Sequence, residues 1–446
     1  MTLALLFTLL LQTPAKAGGD LLAIRVKRAE TVAQGPIEHA LILVADGKIV
    51  EIGEDLPVER GIPVLDRPEW VATPGLVNAH TRAGGERGSG RAFEPHALAT
   101  LEIDPRNELW EELLELGVTT LALYPDGQGI PGQAIALQPH GKSVKDMLVA
   151  APAYLQVYLQ ASASSKKALR DAFQKVDEYE DKVAKEREKW EKEQEKKKKA
   201  SKTSGKKEDE KKEEKKEEPK AEDKKGGAFP QEDEKKDEKK EEKKDEKKTE
   251  AFVPPAPDEK VKPFLDLRKK SLTAMMSIRK AADYLHLLDV VEKEKDVQWF
   301  LQFPLGDDGD LYEVAQKIGE KKLLVVTAPE ITLQTNSLRE RNIPAELVRA
   351  GAKLALTPRS DTLQGHRDWL PDVGRLIGQG LPREAALAAV TLEAARALGL
   401  GEELGSLEKE KAANIVFWSG DPFEPSARVQ AVMLGGKFVV EVGKEE

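Results

Sequence analysis

The stretch Pro74-Gly75-Leu76-Val77-Asn78-Ala79-His80-Thr81-Arg82 holds the residue types most able to do chemistry. A Pro-Gly turn leads into an apolar strand. In a strand, residues i and i+2 point to the same face. Two lone-pair donors so placed can clamp one divalent ion. Here the first position is His80 and the second is Arg82. An arginine carries a permanent positive charge and no usable lone pair, so it repels a cation. The same short segment raises metal chemistry and obstructs it.

The elements that must carry these residues can be read from periodicity. Residues 18–70 read as short strands with turns. Leu21 to Val26 is β-prone, and Leu41 to Gly53 is two strands around Asp46-Gly47, a strong hairpin signal. Asn414 to Trp418 and Val429 to Val440 repeat this grammar at the far end. Neither end suffices for a stable sheet alone, so the two are expected to pair into one small β-sandwich over 18–70 and 407–446.

Between them, over 71–406, helix and strand alternate. Leu109 to Gly117 reads as an amphipathic helix with a glycine cap, Val118 to Leu123 as a buried strand, and Leu323 to Thr327 and Lys353 to Thr357 as two more. Alternation of this kind predicts a parallel sheet with crossover helices.

An insertion over 187–257 interrupts the pattern with Lys, Glu and Asp. It lacks the apolar residues that offset ordering entropy. The stretch Ala168 to Lys198 leads into it with Leu169, Phe173, Val176, Val183 and Trp190 near helical spacing. A helix is expected to leave the domain and pass into a disordered charged tether, parts of which Glu/Lys pairs could hold helical. A tolerated surface insertion without function is the plainer reading. Without it the middle span is about 265 residues, near the ~250 of a (β/α)8 barrel.

Composition narrows the function classes. The 446 residues are 40% hydrophobic and 33% charged, with 70 Lys+Arg against 79 Asp+Glu and a net charge of -9. That balance offers no basic face for nucleic acid. The absence of cysteine excludes disulfides and thiolate metal sites. Leu3 to Leu11 followed by Thr13-Pro14-Ala15-Lys16-Ala17 has the form of a secretory signal over 1–17, although no Lys or Arg precedes the apolar run. Export to the periplasm or the exterior is expected, with a mis-assigned start as the alternative. The run is shorter than the ~20 residues of a membrane span, and no span is expected in the mature chain.

Taken together, these segments resemble the amidohydrolase superfamily, nearest to its imidazolonepropionase-like and dihydroorotase-like members. Ala72 to His80 is similar to the first barrel strand, Gly117-Val118-Thr119-Thr120 to the entry of the second, and Gly380 to Leu400 to the closing helices. Leu404 to Val416, Asp421-Pro422 and Gly436-Lys437 resemble the return to the sandwich. The likeness covers most of 40–150 and 270–440. It implies a (β/α)8 TIM-like barrel with a small β-sandwich built from both termini. It also implies hydrolysis of a non-peptide carbon–nitrogen bond, in an amide or cyclic amide, by water on zinc or a similar divalent metal.

The ligand positions that the resemblance implies are altered. His80 is kept, but Arg82 follows it. Ser277 falls where a histidine of the fifth strand is expected, and Trp299 to Pro304 on the sixth contains none. Arg359 stands where the aspartate after the eighth strand belongs. Asp361, two residues on, could serve as the base after a shift in register. The metal site is therefore expected to be largely lost. Arg82 and Arg359, with Arg87, Arg91 and Arg106 nearby, could hold a carboxylate or phosphate. They could equally be surface arginines paired with Asp361 or Glu94. His39, His96, His140, His286 and His366 read as surface or satisfied core histidines. The expected partners are a small-molecule substrate or anion. Two rival functions stand beside the inherited hydrolysis: a non-catalytic binding or assembly partner of an active paralogue, and a metal-free hydrolase using Asp361 or Glu94.

Overall fold

The computed structural model describes residues 21–442 apart from 55, 87, 89, 161, 214–250, 295–296 and 305–309. The signal expected over 1–17 lies outside the described residues, as does the 214–250 part of the charged tether. The chain divides into two compact units, one of residues up to 173 with those from 259 onward, the other of residues 174–258.

In the first unit the two ends of the chain meet in one eight-stranded sheet. The amino-terminal half contributes Leu22–Glu30, Pro36–Glu38, Ala40–Ala45, Lys48–Glu54 and Val64–Pro74, and the carboxy-terminal end contributes Ile415–Trp418, Val429–Leu434 and Lys437–Glu441. The seam is antiparallel, with Ile415 opposite Pro74 and Phe417 opposite Ala72. Trp418 Nε1 donates across it to Thr73 Oγ1 at 2.9 Å. Ile24, Ile42, Ala72, Ile415 and Phe417 are fully buried in the core of this layer. Burying each isoleucine and the phenylalanine among them stabilises the fold by roughly 1.5–3 kcal/mol.

Val64–Pro74 hands the chain to the barrel through Gly75. A Cβ at Gly75 would lie 2.0 Å from Thr119 Oγ1, so the turn needs glycine to let the first two barrel strands approach. The barrel sheet runs Leu76–Thr81, Val118–Leu123, Gly132–Leu137, Leu148–Tyr158, Ala274–Ser277, Trp299–Gln302, Leu324–Thr327 and Lys353–Leu356 in order around the wall. Seven of these strands are parallel. The third, Gly132–Leu137, is antiparallel to both neighbours. The eighth and first strands are not hydrogen-bonded to each other. The seam holds Leu392–Ala397, a short helix packed against both, and a bond from Val77 N to the Val390 carbonyl at 2.9 Å. The inner cluster joins Val77, Tyr154, Met275, Phe300, Val326 and Ala355, so the barrel floor is packed and apolar.

The helix Ala163–Glu213 begins in this unit, burying Leu169 and Phe173, with Phe173 edge-on to Phe264 at 5.5 Å. In the second unit the returning chain lies along the same helix. Trp190 contacts Phe252 with ring centroids 5.9 Å apart, and the Tyr179 hydroxyl donates to the Pro255 carbonyl at 2.8 Å. Among the described residues no helix is long and apolar enough to cross a membrane.

Candidate site at the barrel mouth

The carboxyl ends of the strands bring together His80, Tyr124, Tyr154, Tyr158, Ser277 and Gln302. His80 is the penultimate residue of the first strand. Its ring stacks on Tyr124 at 3.9 Å, and its Nδ1 lies 3.0 Å from the Tyr154 hydroxyl. That hydroxyl is also 3.3 Å from the Ala79 carbonyl. Burial pushes the His80 imidazole down to about 3, so it is neutral at ordinary pH. Burial also raises the Tyr154 and Tyr124 phenols, and brings Tyr158 to about 12. All three phenols keep their protons.

Arg82 does not face this group as a free cation. Its guanidinium donates to the buried Glu102 carboxylate, to the Tyr124 carbonyl at 2.6 Å and to the Glu86 carbonyl. Arg91 binds the other oxygen of Glu102 at 2.8 Å. Arg359 is elsewhere. It lies 3.6 Å from Glu330 and 4.0 Å from Asp372, on the wall of an open cavity of about 690 Å³ beside the helix Leu363–Gly378. The two arginines named from the sequence share no partner and are not brought together. Arg106 pairs with Asp104 on the surface and Glu94 with Lys260, while Arg87 is outside the described residues.

Asp361 is the residue after the eighth strand that reaches the first. One carboxylate oxygen accepts the Thr81 hydroxyl at 2.6 Å and the Arg82 backbone N–H at 2.9 Å. A second link was not legible from residue types. His366 is buried, and its Nδ1–H donates to the Thr362 carbonyl at 2.9 Å. Since a carbonyl can only accept, Nε2 carries the lone pair and takes the Asn78 amide N–H at 3.1 Å. Asn78 Oδ1 in turn accepts the His80 backbone N–H at 3.3 Å. Burial lowers the His366 pKa, in keeping with this neutral tautomer.

Residues on three adjacent strands face the barrel interior. Gln156 and Tyr158 share a side with Tyr154, and strand register sets Met275 beside Gln156 and Ser277 beside Tyr158. Ser277 in turn pairs with Gln302, and its hydroxyl donates to Gln302 Oε1 at 2.5 Å. The alternation Tyr154-x-Gln156-x-Tyr158 was the available sequence signal for this polar ladder.

Zinc or a similar ion, implied by the resemblance, needs at least three donors with lone pairs to spare. The fifth- and sixth-strand positions hold a hydroxyl and a carboxamide bonded to one another. The partner of His80 is a guanidinium clamped to Glu102. Among the described residues no three His, Cys, Asp or Glu side chains gather to hold a metal. This donor set does not fit a divalent ion.

A sequence profile of the Amidohydrolase family matches residues 284–439. The imidazolonepropionase of Syntrophobacter fumaroxidans is 35% identical over 112 residues, which is 24% of this chain and 26% of that protein. The imidazolonepropionase of Erwinia tasmaniensis is 59% identical over 65 residues, 14% of this chain and 15% of that one. The chain thus spans about a quarter or less of these relatives. In fold, the crystal structure of an amidohydrolase from Thermotoga maritima MSB8 is similar with a TM-score of 0.68 at 20% identity, covering 94% of this chain and 100% of that one.

Proposed function

We propose that the chain is a member of the amidohydrolase superfamily that keeps the superfamily's binding mouth without metal-activated hydrolysis. It acts as a small-molecule-binding or assembly subunit beside an active barrel protein. The observation that carries this reading is the bond between Ser277 and Gln302. Metal-activated water needs an ion held open on one side, and here two neutral side chains satisfy each other in that place. The Arg82–Glu102–Arg91 cluster supports it by holding positive charge where a second ligand would stand. The test is metal analysis of the purified full chain after dialysis. Substoichiometric metal is expected, and one retained zinc per chain would overturn the reading.

A second reading has its own support. Asp361 lies at the mouth, is exposed, and is fixed by Thr81 and Arg82 N, so it could serve as a base without metal. Hydrolysis of an amide that survives chelators and disappears in Asp361→Asn would favour this over the binding subunit.

A further inference from the structure

Gln156 is fully buried, and neither end of its carboxamide has a hydrogen-bond partner. Buried polar side chains are nearly always bonded, so an orphan with both a free donor and a free acceptor calls for an occupant. It lies one layer below Ser277 and Gln302, on the wall shared with Tyr154 and Tyr158. The lining of this inner end is uncharged: carboxamides, a hydroxyl, phenols and apolar side chains. Charged groups stand at the rim: Arg82 bound to Glu102, Asp361 to Thr81, and Asp126, whose charge acts on the Tyr124 and Tyr158 phenols.

We propose that the inner end of the mouth is a socket for an uncharged polar group that presents a hydrogen-bond donor and acceptor side by side, read by the Gln156 carboxamide. The inference rests on the metal-independent reading above and names the ligand chemistry of that site. It replaces the anion expected from Arg82 and Arg359. An ion would have to shed its water against neutral dipoles, which costs far more than desolvating a neutral amide or alcohol. The socket is closed in this structure, because solvent does not reach Gln156. Tyr158, partly exposed and one layer nearer the mouth, must move to admit the group. Bonding both ends of Gln156 offsets that opening.

The test uses three planar probes of one shape: acetamide, acetate and acetamidinium. Each is titrated into the full chain and followed by saturation-transfer NMR. Acetamide is expected to saturate at least tenfold below either ion. Gln156→Met, of similar size, is expected to fold with an unchanged or higher Tm and to lose saturable acetamide binding. An ion that binds as tightly as acetamide, no acetamide binding, or full binding by a folded Gln156→Met would each overturn the socket. The probe order is read on the unaltered chain, so it does not depend on the variant folding. Metal content of the same sample separates the two claims. Stoichiometric zinc sinks the metal-independent reading, whereas metal-free protein that prefers acetate sinks only the socket.

Discussion

A guanidinium can occupy a ligand's place only if a nearby anion compensates it, and for Arg82 that anion is Glu102. Both side chains are largely buried, at 15% and 4% exposure. Removing one member of a buried ion pair strands the other charge. Arg82→Met is therefore expected to cost about 3 kcal/mol in urea unfolding, at the low end of the range because Arg91 still binds Glu102. Replacing the whole cluster, Arg82→Met and Arg91→Met with Glu102→Leu, leaves no charge stranded and should recover most of the loss. A single variant as stable as wild type would show that the cluster is not a structural clamp. His80 gives a prediction in pH. Its pKa falls from 6.5 to about 3 on folding. Above 6.5 the imidazole is neutral in both states. Between 6.5 and 3 the unfolded chain takes up a proton that the folded chain refuses, so stability falls with pH and levels off below about 3. His80→Phe removes this slope. The stability of wild type minus variant should be flat above pH 7 and decline toward pH 4; a constant difference would contradict it. His80 and Asp361 could be picked out by residue type. Asn78, His366 and Gln156 could not, because their significance depends on which distant side chain meets them, or fails to.

At the scale of elements, the start of the helix Leu363–Gly378 positions both residues that tie the end of the barrel to its beginning, His366 in its first turn and Asp361 just before its cap. It starts at Thr362, whose hydroxyl accepts the Gly365 N–H at 3.1 Å, while the Thr362 carbonyl receives His366 Nδ1–H. Thr362→Ala is expected to cost about 1 kcal/mol through the lost cap. It should also raise hydrogen exchange in the first turn of the helix. Unchanged exchange there would mean that Asp361 and His366 are held without the cap. The terminal strands and the strand Val118–Leu123 were legible because β-branched and long aliphatic residues cluster in them. Gly132–Leu137 was not, since its Gly-Gln-Ala-Ile-Ala-Leu run is poor in strand formers. Its direction has a plainer cause. A parallel crossover takes a dozen or more residues, and the link from Leu123 to Gly132 is shorter than that, so the strand returns antiparallel.

At the scale of the whole molecule, the charged insertion bears on the proposed assembly role more than on the barrel. Trp190 meets Phe252, so the outgoing and returning chains are close before the tether begins. The Tyr179–Pro255 bond lies on the same side of that point. Residues 198–248 can therefore be replaced by a short Gly/Ser linker without pulling these contacts apart. Shortening the connection about threefold lowers the closure entropy by roughly 1 kcal/mol, a small gain. The barrel and terminal sheet keep every contact that positions His80, Asp361 and Gln156. The shortened protein is expected to unfold within about 2 °C of the full chain by calorimetry. A drop of more than about 5 °C would mean that the Lys/Glu stretch packs on the folded units. If the tether is a spacer for a partner barrel, the same deletion should abolish co-purification with an active paralogue while leaving the melting curve in place. Retained co-purification would move the partner surface onto the barrel or the terminal sheet.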